Sequence, residues 1–95
     1  MKTYYVYILS SNNQSTLYIG VTNNLQKRLA EHRSKEMEGF SKKYNCVNLV
    51  YFEKHNDIKA AILREKQMKK WKREWKNNLI KTQNPNWTDL AQDWD

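Results

Sequence analysis

Apolar positions along the chain fall into short segments with different periods. Tyr4 to Ser10 is aromatic and β-branched and apolar on both faces. That pattern predicts a strand covered on both sides. Ser11 to Ser15 is a run of turn formers, and Thr16 to Thr22 predicts a second strand, so the two should form a hairpin. Asn23 or Asn24 can cap a helix, because a short side-chain oxygen accepts from the free N–H groups of the first turn. The helix expected from Leu25 to about Lys35 carries Leu25 and Leu29 on its apolar side. At about 100° per residue, Arg28 and His32 flank that stripe on one edge and can point at the same place.

Glu36 to Asn45 reads as a polar loop with Gly39 as its flexible point, and Val47 to Lys54 as a third strand. Asn56 is placed to cap a further helix starting near Asp57. No Gly or Pro occurs from Asp57 to Asn84, so helix should run to about Lys81, whole or in two pieces. Asn84-Pro85-Asn86-Trp87 stops it, and an acidic tail with Trp94 follows. The whole predicts one α+β domain over residues 1–95, with its core at about 2–83 and a tail at 84–95.

One residue breaks the pattern of the long helix. Ile58, Ala61 and Ile62 predict an apolar face, and Glu65 falls near the centre of it. A carboxylate there faces the sheet or a cleft and needs a cation or strong donor, since burying it unpaired is costly. It is either half of a structural ion pair or a functional group, a metal ligand or acid/base.

Charge sharpens the picture. The formal net charge is +7, and Lys59 to Lys81 holds nine Lys or Arg against two acids, Glu65 and Glu74. The remaining eight basic and eight acidic residues cancel, so the excess lies in that one stretch. Such a segment suits a polyanion such as nucleic acid, and equally a solvated helix face. Cys46 is the only cysteine, so no internal disulfide forms, and its strand-like surroundings suggest a small buried side chain. The N-terminus lacks the apolar stretch of a secretory signal, and no apolar run approaches membrane-spanning length. A cytoplasmic protein without membrane contact is the expectation.

The candidate chemistry lies in two tripeptides ten residues apart, Tyr5-Val6-Tyr7 and Tyr18-Ile19-Gly20, with Arg28 eight residues after the second. Two phenols, a glycine and a guanidinium are groups suited to activating water and holding a phosphate. With Thr22-Asn23-Asn24-Leu25, Arg28 to His32, Ala60 to Gln67 and the ending Asn84 to Leu90, these segments resemble the GIY-YIG endonuclease superfamily. The similarity is to its small standalone branch and to the N-terminal nuclease module of the bacterial excinuclease, over about residues 2 to 91. Two departures are visible: Tyr5 replaces the glycine of the first motif, and Val21 stands where some members carry a lysine.

The resemblance implies a three-stranded antiparallel sheet flanked by helices and an endonuclease hydrolysing DNA phosphodiesters, in DNA repair or recombination. It implies one divalent cation, Mg2+ or Mn2+, with Glu65 as the only direct protein ligand. Arg28 would hold the non-bridging oxygens. A free tyrosine titrates near about 10 and needs help to act as a base. Tyr18 is the first candidate for activating water, Tyr7 would orient water or substrate, and His32 would relay a proton or hold Tyr18. Gly20 would allow close backbone approach. Lys69, Lys70, Lys72, Arg73 and Lys76 are the candidate phosphate contacts. Trp71 and Trp75, one turn apart, suit core or dimer packing better than base stacking. The rival reading is a nucleic-acid-binding accessory module without turnover.

Overall fold

The computed structural model describes residues 2–34 and 45–94. The elements run β1 (Tyr4–Ser10), β2 (Leu17–Thr22), α1 (Leu25–Ser34), β3 (Asn48–His55), α2 (Ile58–Lys70) and α3 (Arg73–Gln83). The strands form one antiparallel sheet in the order β2-β1-β3. β1 is central, which explains why its sequence is apolar on both faces.

Alternation along β1 serves two cores. Val6 and Ile8 point to one face and pack with Ile19, Val50, Ala61, Met68 and Ile80, the side covered by α2 and α3. Tyr7 and Leu9 point to the other face and pack with Leu25, Leu29, Cys46, Leu49 and Ala91. The β1–β3 register shifts between Ile8 and Leu9, where Val50 is the extra residue of a bulge.

Most expected elements are present with bounds moved by a residue or so. β1 matches, β2 starts at Leu17, and β3 is shifted by one residue to Asn48–His55. The loop expected over Glu36 to Asn45 lies, except for Asn45, outside the described residues. Asn24 is the α1 cap, its Oδ1 accepting from Lys27 N at 3.1 Å. The α2 cap is Asp57, not Asn56: its Oδ1 accepts from Lys59 N at 3.1 Å. The long helix is two helices. Trp71 and Lys72 both take extended backbone, with ψ of 152° and 150°. No glycine or proline marks the break, and Lys72 offers no side-chain cap.

The segment after α3 is packed rather than loose. Asn84 is buried and donates to Val50 O and Thr88 O at 3.1 and 2.7 Å. Asp89 accepts from Leu49 N at 3.1 Å and from the Arg33 guanidinium at 2.6 Å. Leu90 N donates to Leu49 O, and the Gln83 side chain bonds both N and O of Phe52. These groups satisfy the free edge of β3, which otherwise invites pairing with another chain. Among the described residues no helix is long and apolar enough to cross a membrane.

Candidate active site

Antiparallel pairing sets Tyr7 of β1 opposite Gly20 of β2. The Tyr7 ring lies directly over that glycine: a Cβ at residue 20 would come within 2.6 Å of Tyr7 Cζ. Gly20 therefore makes room for a phenol. Tyr18 lies two residues earlier on the same face, with its ring centroid 6.2 Å from that of Tyr7.

The third ring comes from α1. His32 is only 2% exposed, and its Nε2 is hydrogen-bonded to Tyr7 Oη at 3.1 Å. Its ring also meets Tyr18 edge-on, at 5.0 Å between centroids. The resemblance implied that His32 relays a proton or holds Tyr18; its hydrogen bond goes to Tyr7, and Tyr18 receives a ring contact. The hairpin register decides this, because it sets Tyr7 deep beside the helix and leaves Tyr18 half-buried.

Burial pushes the Tyr7 phenol well above the ordinary tyrosine value. The neighbouring Tyr18 adds to the rise through charge and a hydrogen bond, Arg28 opposes it, and Glu65 adds a smaller rise. Tyr7 thus keeps its proton at any ordinary pH. Its environment also registers four expected site residues at once: His32 by hydrogen bond, Tyr18, Arg28 and Glu65 by field. Burial lowers the His32 imidazole below its usual value, and the positive charge of Arg28 lowers it further, so it is neutral at pH 7.

Arg28 sits one turn before His32 and is half-buried. Its Nε is 3.6 Å from Glu31 Oε1, an ion pair too long for a hydrogen bond. Glu65 lies between Ala61 and Met68 on the buried side of α2. The expected face is narrower than the sequence suggests, since Ile58 and Ile62 are exposed. The Glu65 carboxylate is 15% exposed and pairs with Lys69 Nζ at 3.5 Å, which supplies the cation it needs. The spacing of four residues was the signal for that pair. Val21 packs against the core on the α2 side and brings no ionisable group.

Among the described residues, no group of three or more His, Cys, Asp or Glu could hold a metal ion. The single carboxylate Glu65 is compatible with a cation that fills the rest of its shell with water and substrate oxygens.

The five candidate phosphate contacts divide. Lys69, Lys70 and Lys72 are exposed. Lys76 is half-buried, its amine lowered by burial and by the charge of Arg73. Arg73 is engaged within the protein: its guanidinium donates to Gln14 O, to Ser15 O at 3.0 Å and to Asn77 Oδ1 at 2.8 Å.

A second polar cluster lies on the α2 side of the sheet. Glu53 accepts from Tyr51 Oη at 2.6 Å and from Arg64 Nε at 3.0 Å, and is bonded to His55 Nε2 at 2.6 Å. Burial alone would raise the Glu53 carboxyl, but these bonds hold it below the usual range. Tyr51 is pushed up to about 12 by burial and by Glu53. No sequence pattern marked this cluster, which holds α2 to β3.

A model of the GIY-YIG catalytic domain matches residues 3–78. The chain belongs to the GIY-YIG family. It is 43% identical over 86 residues to a UPF0213 protein of Syntrophus aciditrophicus, covering 90% of this chain and 97% of that one. It is 36% identical over 77 residues to a UPF0213 protein of Natronomonas pharaonis, covering 81% and 89%. A UPF0213 protein of Clostridium perfringens is 41% identical over 76 residues, covering 80% and 81%. The solution NMR structure of a UPF0213 protein from Bacillus halodurans superposes with a TM-score of 0.59 at 20% identity, covering 98% and 99%. That likeness confirms the α+β fold, with a three-stranded antiparallel sheet and, among the described residues, three helices. The matched domain is of a nuclease type; the names of these relatives carry no specific activity.

Proposed function

We propose that this protein is a divalent-metal-dependent endonuclease that hydrolyses DNA phosphodiester bonds, in repair or recombination. The observation that carries the reading is the Tyr7–His32 hydrogen bond with Tyr18 against both rings, in a place where the charges of Arg28 and Glu65 are both felt.

The raised Tyr7 phenol is no base. A neutral imidazole carries one N–H. With that proton on Nε2, His32 donates to Tyr7 Oη, and Tyr7 directs its own proton at Tyr18. Tyr18 takes a proton from water only as the phenolate, its own proton having first passed to solvent, and a donated hydrogen bond stabilises that charge. Tyr18 is the more open of the two phenols and is the one that meets water. Arg28 holds the non-bridging phosphate oxygens through its planar fork. Glu65 would hold the metal, its present partner Lys69 turning to a phosphate instead. When bound, the metal supplies charge stabilisation at the phosphoryl group and the leaving oxygen.

The test is nicking of supercoiled and branched DNA with Mg2+, Mn2+ or EDTA, using wild type, Tyr18→Phe, Arg28→Ala and Glu65→Gln. Cleavage should need metal and fall about 100-fold or more in each variant. Metal-dependent cleavage that persists in Glu65→Gln would sink the assignment of the ligand. Tight DNA binding with no cleavage of any substrate would make the protein a binding module.

A further inference from the structure

Trp75 is the bulkiest apolar side chain left open among the described residues, at 52% exposure. Trp71, one turn before it, has a different fate. It packs against the α2-side core with the Arg64 guanidinium 5.1 Å from its ring centroid. The two indoles meet edge-on at 6.3 Å and 77°. That contact sets the exposed Trp75 ring against the edge of Trp71. A groove of about 430 Å3 runs beside it, lined by Trp71, Trp75, Asn78, Leu79 and Thr82.

The surroundings are cationic. Lys72 Nζ is 5.9 Å from the Trp75 ring centroid. Lys76 is crowded by Arg73, whose charge and the burial of the amine lower its affinity for a proton. Residues 66–88 contain seven Lys or Arg and a single acid, Glu74. A second copy docking here would set two such basic patches against each other. A nucleic-acid strand with its bases unpaired offers a π-face to the indole and phosphates to the lysines together. Intact duplex hides its base faces and leaves the indole unmatched.

The helix that carries Trp75 is tied to the hairpin of the site through Arg73. Arg73 bonds Gln14 O and Ser15 O, in the turn that leads into the strand carrying Tyr18. Lys69, shortly before the helix break, pairs with Glu65.

We propose that Trp75, with Lys72 and Lys76, forms a stacking subsite for an unpaired base of the substrate strand. The preferred substrate is then single-stranded DNA or a junction with unpaired bases. This rests on the reading of the protein as acting on DNA.

The experiment measures binding in EDTA by fluorescence anisotropy, on a labelled single strand and on a blunt duplex of the same sequence. Wild type, Trp75→Ala and Trp75→Phe are compared, and sedimentation velocity gives the mass of each. Trp75→Ala should weaken single-strand binding about tenfold or more, leave duplex binding within about twofold, and be largely rescued by Trp75→Phe. An affinity for single strands that ignores Trp75→Ala overturns the subsite. So does a dimer that Trp75→Ala splits with DNA binding intact, because the face is then a self-interface. Cleavage of the same DNAs in Mg2+ separates the two ideas. Cleavage with Trp75-insensitive affinity removes the subsite and leaves the nuclease. Trp75-dependent single-strand binding without cleavage upholds the subsite and removes the nuclease.

Discussion

A Cβ on Gly20 would lie 2.5 Å from Oη of Tyr7, so the Tyr7 ring occupies the space where residue 20 has no side chain. The ring is 1% exposed and has nowhere to retreat. Gly20→Ala should therefore destabilise the fold by about 1–3 kcal/mol, the usual cost of overpacking. It should also displace the phenol and lower cleavage at least about tenfold. Thermal melts and nicking rates check both; a variant with unchanged values would show that Tyr7 has a second seat.

Tyr7→Phe and Tyr18→Phe should separate by stability. The first leaves His32 Nε2 without its Tyr7 partner in a buried setting, at about 1–3 kcal/mol. The second removes a hydroxyl from a half-buried ring and should cost less than about 1 kcal/mol. Both should lower cleavage, Tyr7→Phe by about tenfold or more and Tyr18→Phe by about 100-fold or more. Denaturant midpoints measured beside the rates distinguish a positioning phenol from the one that meets water.

Acid should weaken the fold in two steps. His32 has its folded value lowered, so its contribution is complete above the unfolded value of 6.5 and shrinks as pH falls from there through the folded value. Glu53 is lowered from 4.5, so its contribution is present above that pH and is lost as pH falls further. Urea midpoints from pH 8 to 3 should fall first below about 6.5. In His32→Gln the first step should vanish while the second, near the carboxylate range, remains.

Arg73 and Lys72 are adjacent and should behave differently. Arg73→Ala removes bonds to Gln14, Ser15 and Asn77 and should lower the melting temperature by several degrees. Lys72→Ala should leave melting unchanged and reduce the salt dependence of DNA binding by about one unit of slope. Titrations at several salt concentrations decide it; a slope that falls for Arg73→Ala alone would reverse the assignment.

Much of the fold is legible along the chain because its signals are local. The apolar run of Tyr4–Ser10, the turn at Ser11 to Ser15 and the Asn24 cap depend on a few neighbouring residues. A break in the long helix was an open alternative, but its place could not be read. It lies at Trp71 and Lys72, residues with no helix-stopping property of their own. Arg73 bonds a turn some sixty residues earlier in the chain, and Trp71 packs into the core, and these are distant contacts. The Glu53–Arg64–His55 cluster was hidden for the same reason.

The sequence by itself determined the inventory of chemistry: two phenols, an arginine, a histidine and a carboxylate on a mostly apolar helix side, in a chain with one basic stretch. Spacing within a strand or helix turn carries that much. Only the tertiary structure decided which groups touch. Strand register put Tyr7 over Gly20, and the packing of α1 gave His32 to Tyr7 and left Tyr18 as the more open phenol. Those choices are made by steric fit and burial between elements far apart in the chain, which no local pattern encodes.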